Sequence, residues 1–246
     1  MEIALVTDVG QRRTNNQDFV NQFKNRVGKV MVILADGMGG HRAGNIASEM
    51  AVTDLGAAWV NTEISDVNGV REWFAQHLEA ENKKINEIGK GDEFKGMGTT
   101  LEALAFMGAE AIYAHVGDSR IHLIRFDTIQ QLTSDHSLVN ALLEAGQLTP
   151  EEAERHPQRN IITQSVGQDD ELRPDINLIN LQAGDYVLAS SDGLTNMVSA
   201  GELFDIVTSD IPLAEKASTM VRFANNAGGL DNITVALVRV DEEDLL

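Results

Sequence analysis

Four aspartates stand where an apolar run stops or starts. Asp36 closes "VMVILADG", Asp118 closes "AIYAHVGDS", Asp192 closes "YVLASSDG" and Asp231 opens "DNITVALV". Each lies beside a Gly or Asn, and "RRTNNQDFV" adds Arg13 and Asp18 just ahead of a fifth apolar run. A lone Asp-Gly is ordinary turn chemistry. Repetition at strand ends suggests more, because ends converging at one rim would crowd carboxylates that repel one another and take up protons unless a cation intervenes. Oxygen donors without cysteine or clustered histidine suit hard ions such as Mg2+ or Mn2+. Two such ions about 3.5–4 Å apart make a clamp for displacement at phosphorus. The glycines after Asp36 leave room for a backbone carbonyl to approach a metal.

These residues need rigid elements to hold them. Strand-like runs cover 3–6, 19–23, 30–35, 100–107, 111–116, 121–126, 176–181, 186–190 and 233–240. Hairpin signals join two of them through "MGAEA" and two more through "QAGDY", so antiparallel pairing is expected to dominate. Helical spacing of apolar residues marks Ala47 to Ala58 and Val67 to Ile88, and two further helices, "SAGELFDIV" and "PLAEKASTMVRFA", lie near the C-terminus. Ser199 and Glu202 have capping-box spacing, as do Thr149 and Glu152 around Pro150. The expected fold is α+β: a four-layer αββα sandwich of two antiparallel sheets flanked by helix pairs. The pair of short helices between about 137 and 167 is expected to form a protruding flap.

Composition sets outer limits. The 246 residues are 43% hydrophobic, enough for a sizeable core. Absence of cysteine removes disulfides, zinc-thiolate sites and thiol nucleophiles. A formal charge of −19 disfavours nucleic acid and anionic membrane surfaces. The N-terminus lacks a basic region ahead of a long apolar run, and no run approaches the roughly 20 residues of a membrane span. A soluble, cytoplasmic protein is expected, with 242–246 as an acidic end kept in water. Neither G-x-G-x-x-G nor G-x-x-x-x-G-K-[ST] occurs, so nucleotide readings fail.

Seven motifs now fall in order: "RRTNNQD", "ADGMGGHRAG", "MGTT", "HVGDSR", "LTSDHS", "SDGL" and "DNITV". In that order they resemble the metal-dependent protein Ser/Thr phosphatases of the PPM family (type 2C), in their short bacterial form, over essentially the whole chain. The resemblance implies one phosphatase domain over 1–241. It implies that Asp36 bridges two Mn2+ or Mg2+ ions, that the Gly37 carbonyl binds the second, and that Asp192 and Asp231 hold the first. Asp18 would reach the second through water, and Asp118 with Asp192 would hold a third ion. Arg13 would contact the substrate phosphate, and Asn232 would orient the ligands. The implied reaction is hydrolysis of phosphoserine or phosphothreonine in proteins, by in-line attack of a metal-bridging hydroxide. Implied partners are phosphorylated proteins, among them a bacterial Ser/Thr kinase and its targets, met by a monomer.

One departure concerns the general acid. Animal members carry His after the "DG", where this chain has Met38; the nearest histidine is His41, which is either that acid or a helix-start residue. His77, His115 and His122 read as structural, and Thr99, Thr100 and Ser119 as hydrogen bonders in tight turns. Two rival readings are an esterase with Ser119 of "GDSR" as nucleophile, and a non-catalytic acidic calcium-binding module. The first lacks any histidine after His156 to serve as its base.

Overall fold

The computed structural model describes residues 1–39 and 43–246. In chain order its strands and helices are β1 (Glu2–Asp8), β2 (Asp18–Lys24), β3 (Val30–Met38), α1 (Ala43–Val60), α2 (Val67–Gly89), β4 (Gly98–Thr99), β5 (Leu101–Phe106), β6 (Glu110–Val116), β7 (Arg120–Arg125) and β8 (Thr128–Gln131). There follow α3 (Leu138–Glu144), α4 (Pro150–Glu154), β9 (Asp175–Asn180), β10 (Tyr186–Ser190), α5 (Asp192–Thr195), α6 (Ala200–Thr208), α7 (Leu213–Asn226) and β11 (Ile233–Arg239). One sheet has the order β1-β11-β10-β7-β8; the other runs β2-β3-β5-β6-β9, with β4 paired to β3.

Three apolar layers follow from the strand period of two. In β3, Met31, Ile33 and Ala35 face Trp59, Phe74 and Leu78 of α1 and α2, while Val32 faces inward among Ile121, Val187 and Ala236 of the other sheet. Burial on both faces explains why this strand reads as a continuous apolar run. On the far side, Leu188, Val235 and Leu237 pack on Leu203, Met220 and Ala224 of α6 and α7. The αββα sandwich is therefore present. No helix among the described residues is long and apolar enough to cross a membrane.

Four details differ from the sequence reading. β3 continues past Ala35 to Met38, because Gly37 and Met38 find partners in Thr99 and Gly98. The "QAGDY" turn is not a hairpin: β9 and β10 lie in different sheets. Leu181 and Val187 both enter the inter-sheet core, so the chain there crosses between layers, and buried Asp185 receives the Arg125 guanidinium at 2.8 and 2.6 Å. β4, β8 and α5 were not foreseen. The acidic end is only partly free in water: Glu242, Glu243 and Leu246 are exposed, but Glu242–Leu245 form a 3-10 turn, Asp244 takes the Met1 amine, and Leu245 packs on the inter-sheet core.

Candidate metal centre

Asp36 is held by its backbone. Its N–H donates to Thr100 Oγ1 at 2.9 Å, and its carbonyl accepts from Thr100 N and Thr99 Oγ1, both at 2.9 Å. Opposite it across the β2–β3 ladder stands Asp18. Asp18 Oδ2 accepts from Ser191 Oγ at 2.8 Å and Thr234 Oγ1 at 2.7 Å, which joins one sheet to the other below the rim. Asp18 Oδ1 is buried with no partner.

Asp192 opens α5, and its Oδ2 accepts from Asn196 one turn on, at 3.0 Å. Asp231 takes its neighbour's amide, from Asn232, on Oδ1 at 2.9 Å and Arg13 Nη2 on Oδ2 at 2.7 Å. Asn232 is fully engaged: its Oδ1 accepts from Gln17 N at 2.8 Å, and its Nδ2 donates to Val9 and Asn15 carbonyls at 2.9 Å each. It therefore fastens the whole 9–17 loop, with Arg13, to the rim. A Cβ on Gly193 would lie 1.9 Å from the Asn232 carbonyl oxygen, so the turns carrying Asp192 and Asp231 touch through backbone.

Electrostatics show that these groups share one site. Burial, then the charges of Asp18, Asp192, Asp118 and Asp231, hold the Asp36 carboxyl well above the usual carboxylate range. Burial also pushes Asp18 up to about 6. Asp192 rises to about 6 through burial and Asp231, and Asp118 to about 7 through burial and Asp192. Such a cluster is what a cation would relieve.

The residues fit a hard cation. Every donor is oxygen, the orphaned Asp18 Oδ1 lacks any protein partner, and a Cβ on Gly37 would strike the Gly44 and Gln17 carbonyl oxygens at 2.1 and 2.6 Å, so only glycine admits this gathering of carbonyls. The carboxylates spread along the rim rather than converging on one point. Among the described residues the only trio of His, Asp or Glu whose ligand atoms all lie within 4.8 Å is elsewhere, at His115, His136 and Asp175. A spread set leaves positions for water, which Mg2+ commonly keeps.

A cleft of about 960 Å3 opens from Arg13, Asp118, Asp192 and Asp231 toward Leu143 of α3 and Ala153 of α4. Arg13, Asp18, Asp36, Gly37, Asp118, Asp192, Asp231 and Asn232 thus meet at one rim, while His41 lies outside the described residues. The esterase reading fails on geometry, since Ser119 is wholly buried and bonded to Thr100 Oγ1 at 2.9 Å. Sequence reading missed Ser191, Thr234 and Asn196. A signal existed for Asn196, which follows Asp192 by one helical turn, and for Thr234, a polar residue inside an apolar strand.

Comparison with known proteins agrees with this geometry. The family model for protein phosphatase 2C matches residues 9–232. The chain is 70% identical to protein phosphatase PhpP of Streptococcus pneumoniae, over 99% of each chain. It is 42% identical to the serine/threonine phosphatase stp of Listeria welshimeri, covering 97% of this chain and 95% of that one. The solved structure of the S. agalactiae serine/threonine phosphatase superimposes with a TM-score of 0.96 at 56% identity, covering 98% and 99% of the two chains.

Proposed function

The chain belongs to the protein phosphatase 2C family and is a protein serine/threonine phosphatase, and on that premise we propose how its rim does the chemistry. The family is metal-dependent. In our reading the rim holds two hard divalent cations, Mn2+ or Mg2+, and a third more weakly. The observation that carries this is the crowding of Asp36 by four further carboxylates. Asp36 would be shared by the pair; Asp192 and Asp231 would hold one ion, the Gly37 carbonyl and (through water) Asp18 the other, and Asp118 with Asp192 the third. When bound, such a pair supplies Lewis acidity and lowers the pKa of water for in-line displacement at phosphorus.

The protein's own groups orient and neutralise. Asn232 fixes the backbone beside Asp231, and Asn196 fixes the Asp192 carboxylate. Arg13 stands at the cleft mouth, about half exposed, where its guanidinium can turn from Asp231 to a phosphoryl oxygen and stabilise charge there. The −19 charge does not bar a phosphoprotein, because screening beyond about 8 Å at physiological salt leaves local cations in control.

Substrates in this reading are phosphoserine and phosphothreonine proteins of a bacterial cytoplasm, including a Ser/Thr kinase and that kinase's targets, met by a monomer. The segment 137–167 forms one wall of the cleft and selects among protein substrates. Purified protein assayed on a phosphothreonine peptide should be silent in chelator and regain activity with Mn2+; full activity in excess chelator would sink the reading. Trimming the segment should impair that peptide more than a small aryl phosphate, and equal losses would remove the selective role.

Arg13→Ala is expected to lower kcat/KM about 10–100-fold, the worth of a charge-assisted bond to phosphate. Its exposed ion pair with Asp231 contributes only about 0–1 kcal/mol to stability, so the melting midpoint should barely move. Weaker Mn2+ binding with unchanged kinetics at saturating metal would make Arg13 a support for Asp231 instead.

A further inference from the structure

Below the flap, ligand atoms of His115, His136 and Asp175 lie within 4.8 Å of one another, yet their hydrogen bonds exclude a metal. His115 Nδ1 faces the Glu102 carboxylate at 2.5 Å, and its Nε2 faces the Ser134 carbonyl at 3.0 Å. Burial pushes the Glu102 carboxyl up to about 7, but the Ser134 carbonyl can only accept, so His115 keeps a proton on Nε2 and shares one with Glu102 at Nδ1. Burial alone would lower its pKa; the Glu102 carboxylate reverses that and raises it to about 9.

His136 is ordered the opposite way. Its Nδ1 receives the Gly117 N–H at 3.2 Å and the Gln164 Nε2 at 2.9 Å. Gln164 cannot flip, because its Oε1 accepts from Arg173 N at 2.8 Å and its Nε2 also donates to the Arg173 carbonyl at 2.9 Å. With two donors on Nδ1, the ring proton sits on Nε2 and points to Asp175 Oδ2 at 3.3 Å. Neither ring has a free lone pair where the three meet. The trio is a lock rather than a cation site. Burial and the neighbouring His115 charge hold His136 below its ordinary pKa, which keeps that lone pair available.

What the lock fastens is specific. Gly117 is held by both backbone groups, since its carbonyl also accepts from His136 N at 2.7 Å. On the other side of Asp118, Ser119 bonds Thr100, which itself holds the Asp36 backbone. Both chain neighbours of Asp118 are thereby tied down. On the flap side, Thr163 N donates to the His136 carbonyl at 2.8 Å, beside the Gln164 contact.

We propose that His136 is a positioning residue for the phosphatase reaction: one ring lone pair fixes the Asp118 turn and the closing end of the flap segment to each other, so that Asp118 geometry and flap placement are set together. This rests on the role given to Asp118 above. Ligating groups are commonly oriented by such outer partners, whose loss costs about 10–100-fold.

The test compares His136→Ala, which deletes the acceptor, with His136→Asn, which returns an acceptor oxygen near the Nδ1 position. In metal-free protein, hydrogen exchange at the Gly117 amide should quicken about 10-fold in the Ala variant and recover in the Asn variant, with β11 amides unchanged. In Mn2+-loaded enzyme, kcat/KM on a phosphothreonine peptide should fall about 10-fold in the Ala variant and recover in the Asn variant. Gln164→Met, milder because it leaves the ring in place, should reduce peptide turnover while Gly117 protection stays. Unchanged Gly117 protection in the Ala variant, an Asn variant no better than Ala, or a Gln164→Met enzyme with normal peptide turnover would each overturn the proposal. The exchange measurement needs no metal and no substrate, so its failure is distinct from failure of the metal reading; quickened exchange with wild-type turnover would overturn the coupling through Asp118.

Discussion

Asp36→Asn should abolish turnover and, in metal-free buffer, make the protein more stable. The catalytic loss should be at least about 1,000-fold, roughly 4 kcal/mol of transition-state stabilisation, because in the proposed site its carboxylate is the one group assigned to both cations of the pair. The gain in stability follows from the raised carboxyl. Burial and four neighbouring charges lift the folded-state pKa of Asp36 above its value in the unfolded chain. Folded protein therefore holds a proton that unfolded chain releases, and this favours folding at low pH and fades as pH rises through the raised pKa. Asp18 and Asp192, each near 6, and Asp118, near 7, act in the same sense. Metal-free wild type should thus lose stability between about pH 5 and pH 8, and Mn2+ should protect it most at the upper end. An amide at position 36 removes the group whose ionisation burial and its neighbours oppose most. Its metal-free midpoint at pH 7.5 should rise by a few degrees, at about 2–4 °C per kcal/mol for a chain of this size. Melting in chelator at pH 5.5 and 7.5, alongside kcat/KM at saturating Mn2+, decides it. A variant that keeps a tenth of wild-type turnover, or melts lower without metal, would show that Asp36 is not the crowded centre of the site.

Gly193→Ala should damage both the fold of the rim and catalysis. Its Cβ would sit 1.9 Å from the Asn232 carbonyl oxygen and 3.4 Å from Asp231 Cβ, and backbone cannot swing aside as a side-chain tip can. The turns of Asp192 and Asp231 must separate. Forced overpacking of this kind costs about 1–3 kcal/mol, and misplacing a reacting geometry by about 1 Å costs about 100-fold in rate. Calorimetry should show weakened Mn2+ binding in the same variant. Wild-type Mn2+ affinity with wild-type turnover would mean that the two turns are free to relax.

All nine strands and the four helices that flank the sheets are present, because an element buried along one or both faces writes that burial into its own residues; the short α3 and α4, with hardly any buried face, were legible from their caps instead. What the chain concealed is non-local. "TIQQ" is mostly exposed and forms β8 only because β7 lies beside it. "QAGDY" carries the same turn chemistry whether its strands pair or part, and the choice is made by where Leu181 and Val187 are buried. Glu102 and His115 looked unremarkable apart, yet their strands place them directly opposite each other. The carboxylates were legible because their motifs repeat one local pattern. Of their supports, Asn196 and Thr234 left a local signal, whereas Ser191 did not, since its hydroxyl acquires its purpose only from Asp18, far away in sequence. His41, the side chain read as an acid candidate beside a metal-bound water, lies outside the described residues.

The pairing of β1 with β11, Glu2 opposite Arg239 and Asp8 opposite Ile233, has a consequence for the life of the molecule in the cell. Among these strands the earliest made, β1, waits for the latest, β11, and Asp18 cannot gain its Thr234 hydrogen bond until that strand arrives. Contacts so distant in sequence make folding slow relative to local structure. An enzyme that erases phosphate marks is thereby withheld until residues beyond 231 have been made, and a chain stopped before residue 231 lacks both Asp231 and the strand that joins β1 to β10. Nascent or truncated copies should therefore bind no partner through this rim and remove no phosphate.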